Sequence, residues 1–201
     1  MEFEYSPGKI VFDRELSDLD ELVLGFVDIL HRMDIQYVII SGYIAILFGR
    51  SRQTEDVDLF IERLDEKRMR EWWAALEEAG MYCLNSTNPQ DALHEYLEND
   101  TAIRFALNGK VIPNFEIKYA KSEYNHYSMS HPIEVILNGH RLFTSEIELQ
   151  IAYKLLLGTD KDFEDARHLY RLFLEKIDVP LLQRHINEIG VMDVAERVLW
   201  N

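Results

Sequence analysis

Two aspartates stand one residue apart in "EDVDLFIE", at positions 56 and 58, inside a stretch whose other residues suit a buried strand. Aspartate is depleted in strands, and like charges placed close together on one face repel. Alternation along a strand sends Asp56 and Asp58 to the same face while Val57 and Leu59 enter the core. Their Cα atoms then lie about 6.6–6.8 Å apart, at about 3.3–3.4 Å per residue. Two carboxylates at that spacing can converge on one hard divalent cation or flank a pair of them. An edge strand with both aspartates solvated is the other arrangement the pattern allows.

The residues around the pair add to it. "IQYVIIS" reads as a buried strand broken at Ser41-Gly42, and "YIAILFG" as a short apolar helix stopped by Gly49. A strand that turns into a helix at small residues lets a phosphate approach backbone amides and the positive end of the helix dipole. Glycine is also common at such junctions for backbone reasons alone. Arg52 and Thr54 follow, on the segment that presents the aspartates. Further along, "NFEIKYA" places Glu116 in an apolar alternation, either as a third carboxylate or on a solvated strand face.

The elements that would position these groups follow from periodicity. Asp18 to Met33 has apolar residues at helical spacing, with Asp18 and Glu21 as a capping box. Asp65 to Ala79 predicts a helix carrying Trp72, Trp73 and Leu76; "MYCL" predicts a short strand and "PQDALHEYLE" a weak helix. "AIRFAL" and "NFEIKYA" predict strands, and Asn138-Gly139 the turn of a hairpin. From Ser145 the pattern is helical: Ser145 with Glu148 as a capping box, "EIELQIAYKLLLG", "KDFEDARHLYRLFLEK", and a third helix opened by Pro180. The expected organisation is a core over residues 1–144 and a helical region over 145–201.

Composition bounds the class. Of 201 residues 47% are hydrophobic, enough for a sizeable core, and the apolar runs are far too short to span a membrane. The acidic start "MEFEYSPGKIVFDRE" lacks a secretory apolar core, and Cys83 is the only cysteine, so a reducing cytoplasm is expected. The net charge of −15 argues against an extended nucleic-acid track, which needs a basic footprint. Zinc spacings, a P-loop and a Gly-x-Ser-x-Gly elbow are all missing from the sequence.

Ser41-Gly42, the short helix ending in Gly49, then Arg52, Thr54, Asp56 and Asp58 together resemble the signature of the DNA polymerase β-like nucleotidyltransferase superfamily. The closest look is to the abortive-infection (AbiEii-type) toxin nucleotidyltransferases and related small members. The resemblance implies an α/β (α+β) fold, a mixed sheet flanked by helices with a helical C-terminal region. It implies Asp56, Asp58 and Glu116 as catalytic residues and ligands of Mg²⁺ or Mn²⁺. Ser41, Gly42, Arg52, Thr54, Lys154 and Asp162 would hold the nucleoside triphosphate. Lys154, with Lys161, Asp162 and Asp165 on the next helix, would line the nucleotide site; a snorkelling lysine and a helix-capping Asp162 are the structural alternatives. The implied reaction moves a nucleoside monophosphate to a hydroxyl acceptor, tRNA or protein, with an antitoxin as a partner. One departure stands out, because Ser41 replaces the first glycine of the usual pair. A non-catalytic nucleotide-binding or toxin–antitoxin partner protein of the same fold is the alternative.

Overall fold

The computed structural model describes residues 2–200. Its nine strands are β1 (Glu4–Ser6), β2 (Lys9–Phe12), β3 (Tyr37–Ile40), β4 (Asp56–Ile61), β5 (Met81–Cys83), β6 (Ile103–Leu107), β7 (Asn114–Tyr119), β8 (Ile133–Leu137) and β9 (His140–Thr144). They form one mixed sheet in the order β1-β2-β8-β9-β3-β4-β7-β6-β5. β4 is therefore an inner strand, antiparallel to β3 and parallel to β7. An edge position for the aspartates is ruled out. Val57, Leu59 and Ile61 are buried in the main core, as alternation requires. Asn138 and Gly139 both adopt positive φ, 49° and 81°, which gives the tight turn between β8 and β9.

Helix α1 (Asp18–Arg32) starts one residue earlier in its capping than the sequence pattern suggests. Ser17 is the N-cap, and it forms the capping box with Asp20, not Asp18 with Glu21. Asp20 is fully buried and already fixed by Arg14 and by the Tyr43 hydroxyl, so it is the carboxylate held in place to reciprocate. After α2 (Gly42–Leu47) comes α3 (Glu66–Glu78), capped by Asp65 and burying Trp72, Trp73 and Leu76. The weak helix is broken into α4 (Pro89–Asp91), a π turn over Ala92–Tyr96 and a 3₁₀ turn over Leu97–Asn99.

Helix α5 (Glu123–Ser130) carries little apolar periodicity, and the sequence pattern did not predict it. The C-terminal part is α6 (Ile147–Leu157), α7 (Asp160–Leu172), α8 (Val179–Ile189) and α9 (Met192–Leu199). The expected capping box at α6 does not form. Ser145 pairs with the Ser128 hydroxyl at 3.0 Å, and Glu148 accepts from the Asp178 amide at 2.8 Å. Both side chains are buried, so tertiary partners claim them.

One hydrophobic core runs from Ile10 to Val198 and joins one face of the sheet to α1, α3 and the C-terminal helices. A smaller cluster, Val38, Ile40 and Phe60 with Met129, lies apart from it. Register pairs Ile40 with Asp58 and Val38 with Phe60, so this cluster shares the face of the aspartates. Helix α5 packs over β3 and β4 there. Among the described residues no helix is long and apolar enough to cross a membrane.

Candidate active site

The parallel pairing of β4 with β7 sets Asp56 opposite Asn114 and Asp58 opposite Glu116. The three carboxylates therefore share one face over two adjacent strands. Lys118, two residues beyond Glu116, shares it too. Its ammonium lies 3.2 Å from Asp58 Oδ1 and 2.5 Å from Glu116 Oε1. The other oxygen of Glu116 accepts from Arg104 on β6, with Nε at 2.8 Å.

The electrostatics of the three groups differ. Burial pushes the Asp58 carboxyl above the usual range; Lys118 opposes this, while Asp56 and Glu116 add to it. Burial acts the same way on Glu116, but Lys118 and Arg104 outweigh it and hold that carboxyl below its ordinary value. Lys118 loses to burial and gains more from Asp58 and Glu116, so its pKa is raised. Asp56 makes no ion pair among the described residues; its carboxylate accepts from the Thr54 hydroxyl at 3.4 Å, which also donates to the Asp56 carbonyl at 2.9 Å. The donors are all hard carboxylate oxygens and suit Mg²⁺ or Mn²⁺. Among the described residues no three His, Cys, Asp or Glu groups are drawn together into a metal cluster. The Lys118 ammonium lies between Asp58 and Glu116.

The turn before α2 resolves the departure at Ser41. Its backbone has φ 63° and ψ −130°, a conformation that glycine adopts freely and other residues pay for. Serine thus keeps the glycine geometry. Its amide donates to Gln150 Oε1 at 2.9 Å, which ties the turn to α6. The strain yields an expected result. Ser41→Gly should stabilise the protein by about 1 kcal/mol, because strain of about 1–3 kcal/mol exceeds the extra unfolded-chain entropy of about 0.4–1 kcal/mol. Equilibrium denaturation of the two proteins checks this, and a loss of stability would mean that the serine side chain contributes more than the strain costs.

Arg52 lies against Gly42, where an added Cβ would come within 2.4 Å of its guanidinium. Its Nε and Nη2 each donate to Asp165 on α7 at 3.1 Å, so the absent side chain and the fixed arginine belong together. Arg50 also pairs with Asp165, and with Glu164. Lys154 completes the group, 2.7 Å from Asp162 and 3.0 Å from Asp165. Asp162 also accepts from the Thr159 hydroxyl at 2.6 Å and its carboxyl is held low: burial works against this, and Lys154 with Thr159 prevails.

Several expectations change here. Lys154 does not snorkel to solvent. Its side chain is 3% exposed, with the ammonium between the carboxylates of Asp162 and Asp165. The helix N-cap of α7 is Thr159, and the Asp162 carboxylate accepts from Lys154. Sequence reasoning gave Lys118, Arg104 and Gln150 no place in the site, and saw Asp165 only beside Asp162. A lysine at alternate spacing from Glu116 was the available signal for Lys118; the others depend on contacts between distant segments.

No protein-family model matches the chain, nor does any curated protein sequence. Solved structures do. An antigenic nucleotidyltransferase-like protein from Paracoccidioides brasiliensis is similar over 91% of this chain and 92% of its own, at 16% identity and a TM-score of 0.54. The antibiotic-resistance factor ANT(2'')-Ia is similar over 90% and 97%, at 13% identity and a TM-score of 0.56. The lincosamide antibiotic adenylyltransferase LnuA, with lincomycin bound, covers 79% of this chain and 99% of its own, at 14% identity and a TM-score of 0.50. The protein has the mixed α/β fold of nucleotidyltransferases.

Proposed function

We propose that the protein transfers a nucleoside monophosphate from a nucleoside triphosphate to a hydroxyl acceptor. The observation that carries this reading is the alignment of Asp56, Asp58 and Glu116 on one sheet face, with Asp58 paired in register to Ile40, next to the Ser41 turn. Asp56 and Asp58, with Glu116 as the third carboxylate, would hold Mg²⁺ or Mn²⁺. A cation bound there neutralises triphosphate charge and makes a hydroxyl more acidic.

The chain's own residues do the positioning. The Ser41 hydroxyl and the Gly42 amide donate to phosphate oxygens at the turn. Arg52, anchored on Asp165, fixes the loop between α2 and β4, and Thr54 ties that loop to the start of β4. Lys154 and Asp162 act through Asp165, one layer behind the nucleotide. Catalysis of this kind rests on holding reactants in line and on stabilising developing charge.

For the acceptor, LnuA has lincomycin bound, and a structure of ANT(2'')-Ia is in complex with adenylyl-2''-tobramycin. A small hydroxylated molecule joins tRNA and protein as the acceptor classes to assay, and the net charge of −15 favours it over RNA. Kinship with the AbiEii-type toxins, and with it an antitoxin partner, rests on the motif alone.

Thermal unfolding with Mg²⁺ and each of the four triphosphates tests the reading. At about 100 times the dissociation constant the productive ligand should add roughly 2.7 kcal/mol. An unchanged melting curve across millimolar concentrations would remove nucleotide binding. The ion pairs that Glu116 makes to Lys118 and Arg104 favour a second reading, a nucleotide-binding protein without turnover. Ligand-dependent stabilisation with no labelled acceptor in cell extracts would select it.

A further inference from the structure

Lys118 is held at both ends. Its backbone belongs to β7, paired with Phe60 of β4 in the interior of the sheet. Its ammonium is fixed at two points, 3.2 Å from Asp58 and 2.5 Å from Glu116. This is the position between the two strands that a cation bridging Asp58 and Glu116 would take. Arg104 closes the remaining oxygen of Glu116 from the far side.

The oxygens already taken by Lys118 and Arg104 limit how many further cations the face accepts. Three carboxylates stand against two fixed cations, Lys118 and Arg104, so the cluster carries one net negative charge. One divalent ion would change that to one positive charge. A second would have to displace the Lys118 ammonium from the oxygens of Asp58 and Glu116, or lie directly against it. Like charges so close in a medium less polar than water repel strongly. Asp56, by contrast, has no cationic partner among the described residues, and the one hydrogen bond its carboxylate accepts there comes from Thr54.

We infer that Lys118 serves as a built-in second cation of the site, so that the nucleotide complex holds a single divalent ion, placed at Asp56 and Asp58. Glu116 is then a positioning residue for Lys118 and not a metal ligand. The inference rests on the nucleotidyltransferase reading and narrows the metal set assigned there. It also accounts for the two cationic partners of Glu116 without requiring loss of function.

Counting bound Mn²⁺ by electron paramagnetic resonance tests it, with the α,β-methylene analogue of ATP as probe and the analogues of the other three bases in parallel. Wild-type protein should bind one Mn²⁺ per bound analogue. Lys118→Met should bind two, and Lys118→Arg one. Two Mn²⁺ per analogue in the wild type would overturn the inference and leave the nucleotidyltransferase reading standing. One in Lys118→Met would also overturn it, since the lysine would not be what excludes the second ion. Analogue and Mn²⁺ both failing to bind would remove the nucleotide reading and the inference with it. If Lys118→Met fails to fold, the wild-type count still decides.

Discussion

Replacing Asp56 and Asp58 together by asparagine should abolish nucleotidyl transfer and leave the metal-free fold at least as stable as the wild type. The loss of activity follows from the loss of the two carboxylates proposed to hold the divalent ion. Such an ion supplies several kcal/mol of transition-state stabilisation, and each 1.36 kcal/mol is tenfold in rate, so the fall is at least about 10³-fold. The stability effect has the opposite sign. Burial raises the Asp58 carboxyl, with Asp56 and Glu116 contributing, so the folded state disfavours its charge. A group whose folded pKa lies above its unfolded value favours the fold below the unfolded pKa, and that favour is gone once pH passes the folded one. At neutral pH the wild type therefore carries a cost that asparagine lacks, and the gap should close as pH falls through the carboxylate range. Lys118 loses one partner in the variant but keeps Glu116. Paired urea titrations at several pH values, with a radiolabel transfer assay, measure both effects. A metal-free destabilisation of the variant at neutral pH would mean that the aspartates make structural bonds, and the active-site assignment would fail.

The placement of the candidate site was legible where it depends on local geometry. Asp56 and Asp58 two apart, Ser41-Gly42 at a strand end and Glu116 in a strand alternation each follow from period-2 geometry and short-range turn chemistry. The core of the sheet was legible for the same reason, since Val57, Leu59, Phe115 and Ile117 read as buried in sequence and are. The capping boxes failed because their side chains have tertiary partners: Asp20 is held by Arg14 and Tyr43, and Glu148 by the Asp178 amide. Helix α5 went unseen because "EYNHYSMS" buries little beyond Ser128 and so has no apolar stripe. Cationic partners were the hardest to foresee. Lys118 meets Asp58 from sixty positions away, and Arg52 meets Asp165 from 113, through strand pairing and helix docking that no local pattern encodes.

That docking gives the largest expected stability effect. Asp165 is fully buried on α7 and receives Arg50, Arg52 and Lys154, whose side chains are 13%, 9% and 3% exposed. Truncating it to alanine leaves three nearly buried cations facing one another, with Glu164 and Asp162 as the remaining partners of Arg50 and Lys154. Breaking a buried pair by removing one member costs about 3–5 kcal/mol. For a chain of this size that lowers the melting temperature by about 6–20 °C, at about 2–4 °C per kcal/mol. Asp165→Asn, which keeps the shape and part of the hydrogen bonding, should cost less than the alanine variant. The effect should reach the site as well, since Arg52 is the link between α7 and the loop that presents Asp56. At a temperature where Asp165→Asn remains folded, its ligand-dependent stabilisation by Mg²⁺ and triphosphate should therefore shrink. A cost below about 1 kcal/mol in Asp165→Ala would fall in the range of exposed ion pairs. The cluster would then not be what fixes the loop, and the positioning role of Arg52 would have to be abandoned.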